Sequence, residues 1–320
     1  MAFDSHPRQA VDLYRNNTLA LHCIAEYAFE IADDMQIPAL IAFSRHRKLP
    51  WWVLGSGSNV VLPAHLHGLV LLMRTHGIEV TDISDDDVDI CVAAGETWDD
   101  VVAATLSNGW FGLENLSKIP GSCGAAPVQN IGAYGVEISQ FIMAVEYFDV
   151  QLTRFVTLPA NECEFRYRDS IFKHSLRARA IITRVHLRLS RSAKVNLSYP
   201  ALQAAFAGQP GPAPQVVRAQ VAAIRHSKLP DPAVSPNAGS FFKNPVISRE
   251  QYLRLTEFDP NLVHYPQVDG SEKLAAGYLV EQCGWKGRND GAVRVHDQQA
   301  VITARAEPLE VEHRGLAPRE

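Results

Sequence analysis

The stretch "WWVLGSGSNVVL", Trp51 to Leu62, runs an apolar strand straight into a glycine turn. Four large apolar residues in succession read as a buried strand. Gly55 and Gly57 then let backbone N–H groups approach a phosphate closely, because no Cβ stands in the way. Spacing removes two familiar phosphate loops. The third glycine of a dinucleotide fingerprint would fall at Val60, where no helix opens, and no Gly-Lys-Ser/Thr follows for a Walker loop. A plain tight turn between strands remains the alternative reading of this glycine pair.

Outward from this turn, "GLVLLMR", "GIEVTDI" and "VDICVAAG" read as strands. "TWDDVVAATLSNGW" reads as a helix, with Thr97 as N-cap, acids in the first turn and Gly109 at the end. Residues 109–135 hold six glycines and include "PGSCGAAPVQNIGAYG". Small residues in so long a loop let a planar ligand or a pyrophosphate lie against the main chain; an Ω-loop without a ligand is the alternative. "AVEYFDV", "RFVTL" and "AIITRVHLRL" are further strands. "ALQAAFAGQPGPAP", Ala201 to Pro214, reads as a surface linker. An amphipathic helix, "QVVRAQVAAIRHSKL", follows it. Helices from about Ser248 and around Leu274–Cys283, and a strand "AVITARA", complete an α+β chain.

A net charge of −5 gives nucleic acid no electrostatic footing. The apolar runs are strand length, so no membrane segment is expected. The N-terminus lacks a charged region followed by an apolar one, which points to a cytoplasmic protein. The five cysteines lie far apart without a C-x-x-C pair, so reduced thiols are expected and no metal site. His296 has no second histidine at ligand spacing and reads as structural.

The stretch "PNAGSFFKNP", Pro236 to Pro245, suits neither a helix nor a long strand. It is either a loop with an aromatic anchor or a mount that holds the Ser240 hydroxyl where a proton is needed. No G-x-S-x-G elbow surrounds Ser240, so an acyl nucleophile is not expected. In "FRYRDSIFK", Arg168 beside Asp169 and Tyr167 is either part of a solvated charged face or a rigid fork for a carboxylate or phosphate. Lys228 and Tyr199 carry the same two readings, surface residue or ligand contact.

"LGSGSNVVL", "GLENLSKIPGSCGAAPVQNIGAYGVEI", "YRDSIFKH", "KLPDP", "NAGSFFKNP", "HYPQVDGSEKLAAGYLVEQCGWKG" and "HDQQA" together resemble the UDP-N-acetylenolpyruvoylglucosamine reductase family, in that family's order, over about residues 17–300. Tyr199 and "YRDSIFKH" resemble its type I branch. The resemblance implies an FAD-binding domain of the vanillyl-alcohol-oxidase type with a C-terminal substrate domain. It implies reduction of UDP-N-acetylglucosamine enolpyruvate to UDP-N-acetylmuramate for peptidoglycan, with non-covalent FAD and NADPH as reductant. Hydride passes from flavin N5 to C3, and Ser240 protonates C2. Serine is a weak acid, so it serves only a strongly basic carbanion held in fixed geometry. Gly239 suits such a fixed backbone, with Phe241 and Phe242 as anchors. Arg168 is implied as the cation that stabilises the enolate. Gly55, Ser56, Gly57, Ser58 and Asn59 match the flavin pyrophosphate loop, and Ala125, Ala126, Gln129, Asn130 and Gly132 the second flavin loop. Tyr199, Lys228, Asn244, Tyr265, Lys273 and Gln299 match positions that hold the UDP-sugar and, in turn, NADPH.

The resemblance weakens after Gln299. The family's strand, helix and last strand are represented by "AVITARAEPLEVEHRGLAPRE", in which Glu312 takes the position of a catalytic glutamate but the connecting helix is missing. The expected domains are residues 1–200 for FAD, split near 65, a linker at 201–214, and a shortened substrate domain at 215–320. A monomer is expected. Two other functions remain open: a flavin-binding protein without catalysis, because of the short C-terminus, and a flavin oxidase.

Overall fold

The structure, a computed structural model, describes residues 6–209 and 211–305. Its described residues fall into two compact units: the residues up to Asn17 with Leu21–Ser227, and Thr18–Ala20 with those from Lys228 on.

In the first unit, β1 (Arg8–Asp12) leads to β2 (Ile24–Ile31), helix α1 (Ile37–His46), β3 (Trp51–Leu54) and β4 (His65–Met73). They form a sheet of order β1-β2-β4-β3, in which β4 runs parallel to both β2 and β3. Parallel strands need a crossover, and α1 supplies the one between β2 and β3. Its apolar face, Ile37, Leu40 and Ile41, is buried against the core. Residues Gly68–Met73 of β4 are buried on both faces, which is why this strand reads as an unbroken apolar run.

The next elements are β5 (Ile78–Ile83), β6 (Asp87–Ala93), α2 (Trp98–Ser107), the short pair β7 (Gly132–Ala133) and β8 (Val136–Glu137), β9 (Ile142–Asp149), β10 (Arg154–Pro159) and β11 (Ala180–Ser190). Strands β10-β9-β11-β6-β5 make an antiparallel sheet in that order. The expected split near residue 65 falls instead between Met73 and Ile78: β4 is an inner strand of the first sheet, so its pairing holds 65–73 there. Thr97 occupies the N-cap of α2, but its side chain makes no capping hydrogen bond; Asp99 and Asp100 supply negative charge to that end.

The stretch expected to be a linker is partly helical. Helix α3 (Pro200–Ala205) buries Leu202, which packs with Phe206 and with Val217 and Val221 of α4 (Pro214–Lys228). Burial of those side chains ties 200–227 to the first unit, so the division comes at Ser227/Lys228 and not within 201–214.

The second unit contains β12 (Asn237–Ser240), β13 (Val246–Ile247), α5 (Arg249–Phe258), β14 (His264–Pro266), β15 (Glu272–Leu274), α6 (Ala276–Gln282), β16 (Asn289–Asp290), β17 (Val293–Val295) and β18 (Ile302–Arg305). It has two small sheets, β12-β18-β17-β16 and β13-β15-β14. Ser248 starts α5 with a capping box, its hydroxyl accepting from the Gln251 N–H at 3.2 Å. Glu312 lies outside the described residues.

Candidate active site

After Leu54 the chain must leave a strand paired to β4, and the glycines let it do so in minimal space. A Cβ on Gly55 would stand 2.2 Å from the Ser122 Oγ, and one on Gly57 2.1 Å from the Asn16 carbonyl oxygen. Gly57 also has φ +62, which disfavours a side chain. The second loop is equally tight: a Cβ on Gly124 would come 2.5 Å from that of Ala94. Gly55 thus sits against the Ser122 side chain of the second loop, Gly57 against the main chain at Asn16, and Gly124 against Ala94. The Asn59 side-chain amide ties the two loops, donating to Gln129 Oε1 at 3.1 Å.

Two cavities open at this junction. One, of about 290 Å³, is lined by Gly55–Val60, Pro120–Ser122, Ala125, Gln129 and Lys173. The other, of about 300 Å³, is lined by Trp51, Trp52, Gly55, Ser122, Ala125, Phe172 and Arg177. They share Gly55, Ser122 and Ala125. Two cavities joined at a glycine turn suit an elongated ligand with a charged middle: flat groups in the wider spaces, phosphates against the N–H groups. FAD has that form, and the residues present fit it.

Asn130 is placed differently from its neighbours in the loop. It is buried, at φ +45. Its side-chain amide donates to Glu137 Oε2 at 2.8 Å and to the Arg166 carbonyl at 3.1 Å, and its Oδ1 accepts from the Ser139 N–H at 3.1 Å. That side chain organises the protein rather than facing a ligand. Its main-chain carbonyl accepts from Arg168 Nη1 at 3.2 Å, and the Gly132 carbonyl accepts from Nη2. A Cβ on Gly132 would lie 2.8 Å from Nη1, so glycine is what admits the guanidinium.

Arg168 itself has φ +53, in a turn closed by reciprocal backbone hydrogen bonds between Arg166 and Asp169 at 3.0 and 3.1 Å. Its guanidinium lies 5.3 Å from the Tyr167 ring centre. Asp169 bonds His174 at 2.8 Å, which holds its carboxyl below the usual carboxylate range. Arg168 is thus a braced cation and not part of a loose charged face. Tyr199 caps α3 and packs edge-on against Tyr134, ring centres 5.1 Å apart. Asn115 joins the two segments, donating to the carbonyls of Tyr134 and Asn196 at 2.9 Å each.

In the second unit, Ser240 ends β12, opposite Ile302 of β18. The residue that fixes this strand is one the sequence reading passed over. Asn237 is buried, and its amide donates to the carbonyls of Pro230 and Ser235 at 3.2 and 2.9 Å. Its Oδ1 accepts from the Gly239 N–H at 3.0 Å, and Gly239 takes φ +73. An Asn two residues before a glycine is the available signal, since Asn side chains commonly close such turns. Phe241 and Phe242 are not the anchors. They are 66% and 54% exposed and pack edge-on against each other. What holds the chain after Ser240 is the Phe241 N–H, donated to the Val301 carbonyl at 2.7 Å.

Asn244 Oδ1 accepts from the Ala276 N–H at 2.9 Å, at the start of α6, which leaves its amide hydrogens for other partners. The Gln299 side chain reaches the same helix start, with Oε1 about 3.4 Å from a Cβ placed on Gly277. Tyr265 and Lys273 face each other across β14 and β15. Lys228 ends α4. Arg168 and Tyr199 belong to the first unit, and Ser240, Asn244, Tyr265, Lys273 and Gln299 to the second. Burial pushes the pKa of His296 down, and its Nδ1 accepts from the Gln298 N–H at 3.3 Å.

Comparison with known proteins resolves the family. Residues 25–152 match an FAD binding domain, and residues 231–307 match the UDP-N-acetylenolpyruvoylglucosamine reductase C-terminal domain. The chain is 48% identical over 297 residues to the UDP-N-acetylenolpyruvoylglucosamine reductase of Bordetella pertussis, covering 92% of this chain and 84% of that one. The chain belongs to the UDP-N-acetylenolpyruvoylglucosamine reductase family. Reductases of the same name from Polynucleobacter asymbioticus and Chromobacterium violaceum are 44% and 46% identical, over 91% and 92% of this chain and 84% and 87% of theirs. The fold also matches the crystal structure of UDP-N-acetylenolpyruvylglucosamine reductase from Thermus caldophilus, with TM-score 0.64 over 94% of this chain and 89% of that one, at 22% identity. Both glycine loops lie within the residues that match the FAD binding domain. Among the described residues, no helix is long and apolar enough to cross a membrane.

Proposed function

We propose that this protein uses NADPH to reduce UDP-N-acetylglucosamine enolpyruvate to UDP-N-acetylmuramate in the cytoplasm, as a step of peptidoglycan precursor synthesis. The observation that carries this reading is the family likeness in both units: residues 25–152 match the FAD domain and residues 231–307 the C-terminal domain. Bound FAD would supply the hydride chemistry between NADPH and C3 of the enolpyruvyl group.

The rest falls to the chain's own residues. N–H groups of the Gly55–Asn59 turn receive the FAD pyrophosphate, and the glycines let that turn pack closely against Ser122 and Asn16. Ala125 and Gln129 line the same cavity, while Asn130 and Gly132 act through their carbonyls by bracing Arg168. Arg168 offers its fixed charge to the enolate that develops at C2 and the adjoining carboxylate. A cation already held by protein carbonyls needs little reorganisation when that charge appears. Ser240 Oγ–H gives its proton to C2, and Asn237 keeps that hydroxyl at one place on the strand end. Tyr199, Lys228, Asn244, Tyr265, Lys273 and Gln299 hold the UDP-sugar and, in turn, NADPH, so the two half-reactions alternate.

The test separates the half-reactions. The flavin of the purified protein is reduced anaerobically by NADPH, and the enolpyruvyl nucleotide is then added. Bleaching followed by full return of colour is expected. The Ser240→Ala variant should bleach at the normal rate and recover about 10²–10⁴-fold more slowly. A wild-type protein that bleaches but never recovers its colour would overturn the proposed reductase activity.

A further inference from the structure

The sequence offers no metal-ligand spacing, yet the fold brings three donor types to one point on the antiparallel sheet of the first unit. We propose that Cys91, Glu146 and His186 form a site for a borderline divalent cation of the zinc type, separate from the FAD cradle.

The register creates it. His186 of β11 lies directly opposite Cys91 of β6. On the other side of β11, Arg184 lies opposite Glu146 of β9, which puts Glu146 diagonal to His186. Side chains opposite or diagonal across neighbouring strands share a face and can touch. The Cys91 Sγ is 3.8 Å from His186 Nε2, and Glu146 Oε1 is 2.7 Å from the same nitrogen. One ligand atom from each residue lies within 4.8 Å of the other two.

The shared nitrogen decides between two chemistries. A nucleophile–base–carboxylate relay uses opposite nitrogens of the imidazole ring, one for the nucleophile and one for the orienting acid. Here thiol and carboxylate converge on Nε2, so a relay cannot be assembled. The three donor atoms lie within 4.8 Å of one another, close enough to share one ion in place of the hydrogen on Nε2. Thiolate with imidazole favours zinc-like ions over magnesium or calcium, and three protein ligands leave a fourth position for water.

The surroundings permit entry and balance charge. Cys91 is buried, whereas the side chains of His186 and Glu146 remain 22% and 29% exposed. The Arg184 guanidinium beside Cys91 is itself offset by Asp34 at 3.3 Å and Glu79 at 3.9 Å. A dication therefore meets a net negative pocket. Bound there, it would link β6, β9 and β11.

The test uses the flavin-loaded, full-length protein carrying Cys283→Ser, which removes the one exposed thiol; Cys23, Cys123 and Cys163 are buried. Cobalt(II) is titrated as the probe. One equivalent should bind, with thiolate–cobalt absorption to the red of the flavin bands, and zinc should displace it. Cys91→Ser and His186→Gln should abolish the band, and Glu146→Gln should weaken binding at least about tenfold, the loss even an outer-shell partner produces. Flavin content and circular dichroism of each variant establish that it has folded. Absence of cobalt or zinc binding, or a cobalt band that survives Cys91→Ser in folded protein, overturns the proposal.

Discussion

Asn59 donates its side-chain amide to Gln129 Oε1 at 3.1 Å, and this one bond joins two glycine loops that are 70 residues apart in sequence. A neutral hydrogen bond of this kind contributes about 0.5–1.5 kcal/mol. Asn59→Ala should therefore weaken FAD binding by roughly two- to tenfold, read from flavin fluorescence on titration of the apoprotein. Gln129→Ala should do the same. The double variant should lose less than the sum, because the two residues share one bond.

Gly55→Ala should be much more severe than Asn59→Ala. Its new Cβ would lie 2.2 Å from the Ser122 Oγ, so one loop must move and the cradle opens. Overpacking of this sort costs about 1–3 kcal/mol. The protein should purify with little flavin. Adding Ser122→Gly removes the obstructing side chain and should restore part of the flavin content. No recovery in the double variant would show that the contact is not what excludes alanine.

Arg168→Lys keeps a charge but loses the fork that donates to the Asn130 and Gly132 carbonyls. Reoxidation of the reduced flavin by the enolpyruvyl nucleotide should slow about 10²–10³-fold, the usual effect of removing one preorganised stabiliser. Reduction by NADPH should change little. Stopped-flow absorbance of the two half-reactions checks both statements, and an equal loss in the two would refute the assigned role.

Asn237→Ala leaves the Pro230 and Ser235 carbonyls and the Gly239 N–H without their side-chain partner. Each unsatisfied buried group costs about 1–3 kcal/mol. A lower melting temperature should come with slower flavin reoxidation, since Ser240 follows this turn. Unchanged reoxidation kinetics in the folded variant would remove Asn237 from the placement of Ser240.

Glu114 is 1% exposed, and burial raises its carboxyl above the ordinary 4.5, against the lowering effect of the Gly112 N–H. The folded state thus holds its proton more tightly than the unfolded chain. That contribution to stability is complete below the unfolded value and is lost as pH rises through the raised folded one. Glu114→Gln removes this contribution, so the variant should lose less stability than wild type between about pH 4 and about pH 8. Urea unfolding midpoints at the two pH values measure it; parallel curves for the two proteins would contradict it.

Much of the fold was legible where the signal is local. The apolar run Trp51–Leu54 and the glycines after it formed the strand and turn they suggest, because a chain leaving a strand in so little space needs residues without side chains. Ser248 capped its helix for the same local reason. The stretch from Ala201 misled because glycine and proline near its end mask a short helix whose Leu202 is buried by residues from α4. Phe241 and Phe242 misled because bulk and apolarity suggest anchoring, whereas a buried polar side chain, Asn237, does it here.

The sequence by itself determined the α+β class, the glycine loops, the family and the serine at the end of "NAGS", since each is written in contiguous residues with restricted backbone or hydrogen-bonding options. Tertiary structure alone decided which side chains those residues face. It turned Asn130 inward beneath Arg168, put Asn237 under the Ser240 strand, and brought Cys91, Glu146 and His186 together from three strands. Strand register sets such meetings. It depends on pairing between segments 40 to 95 residues apart, which no local pattern records.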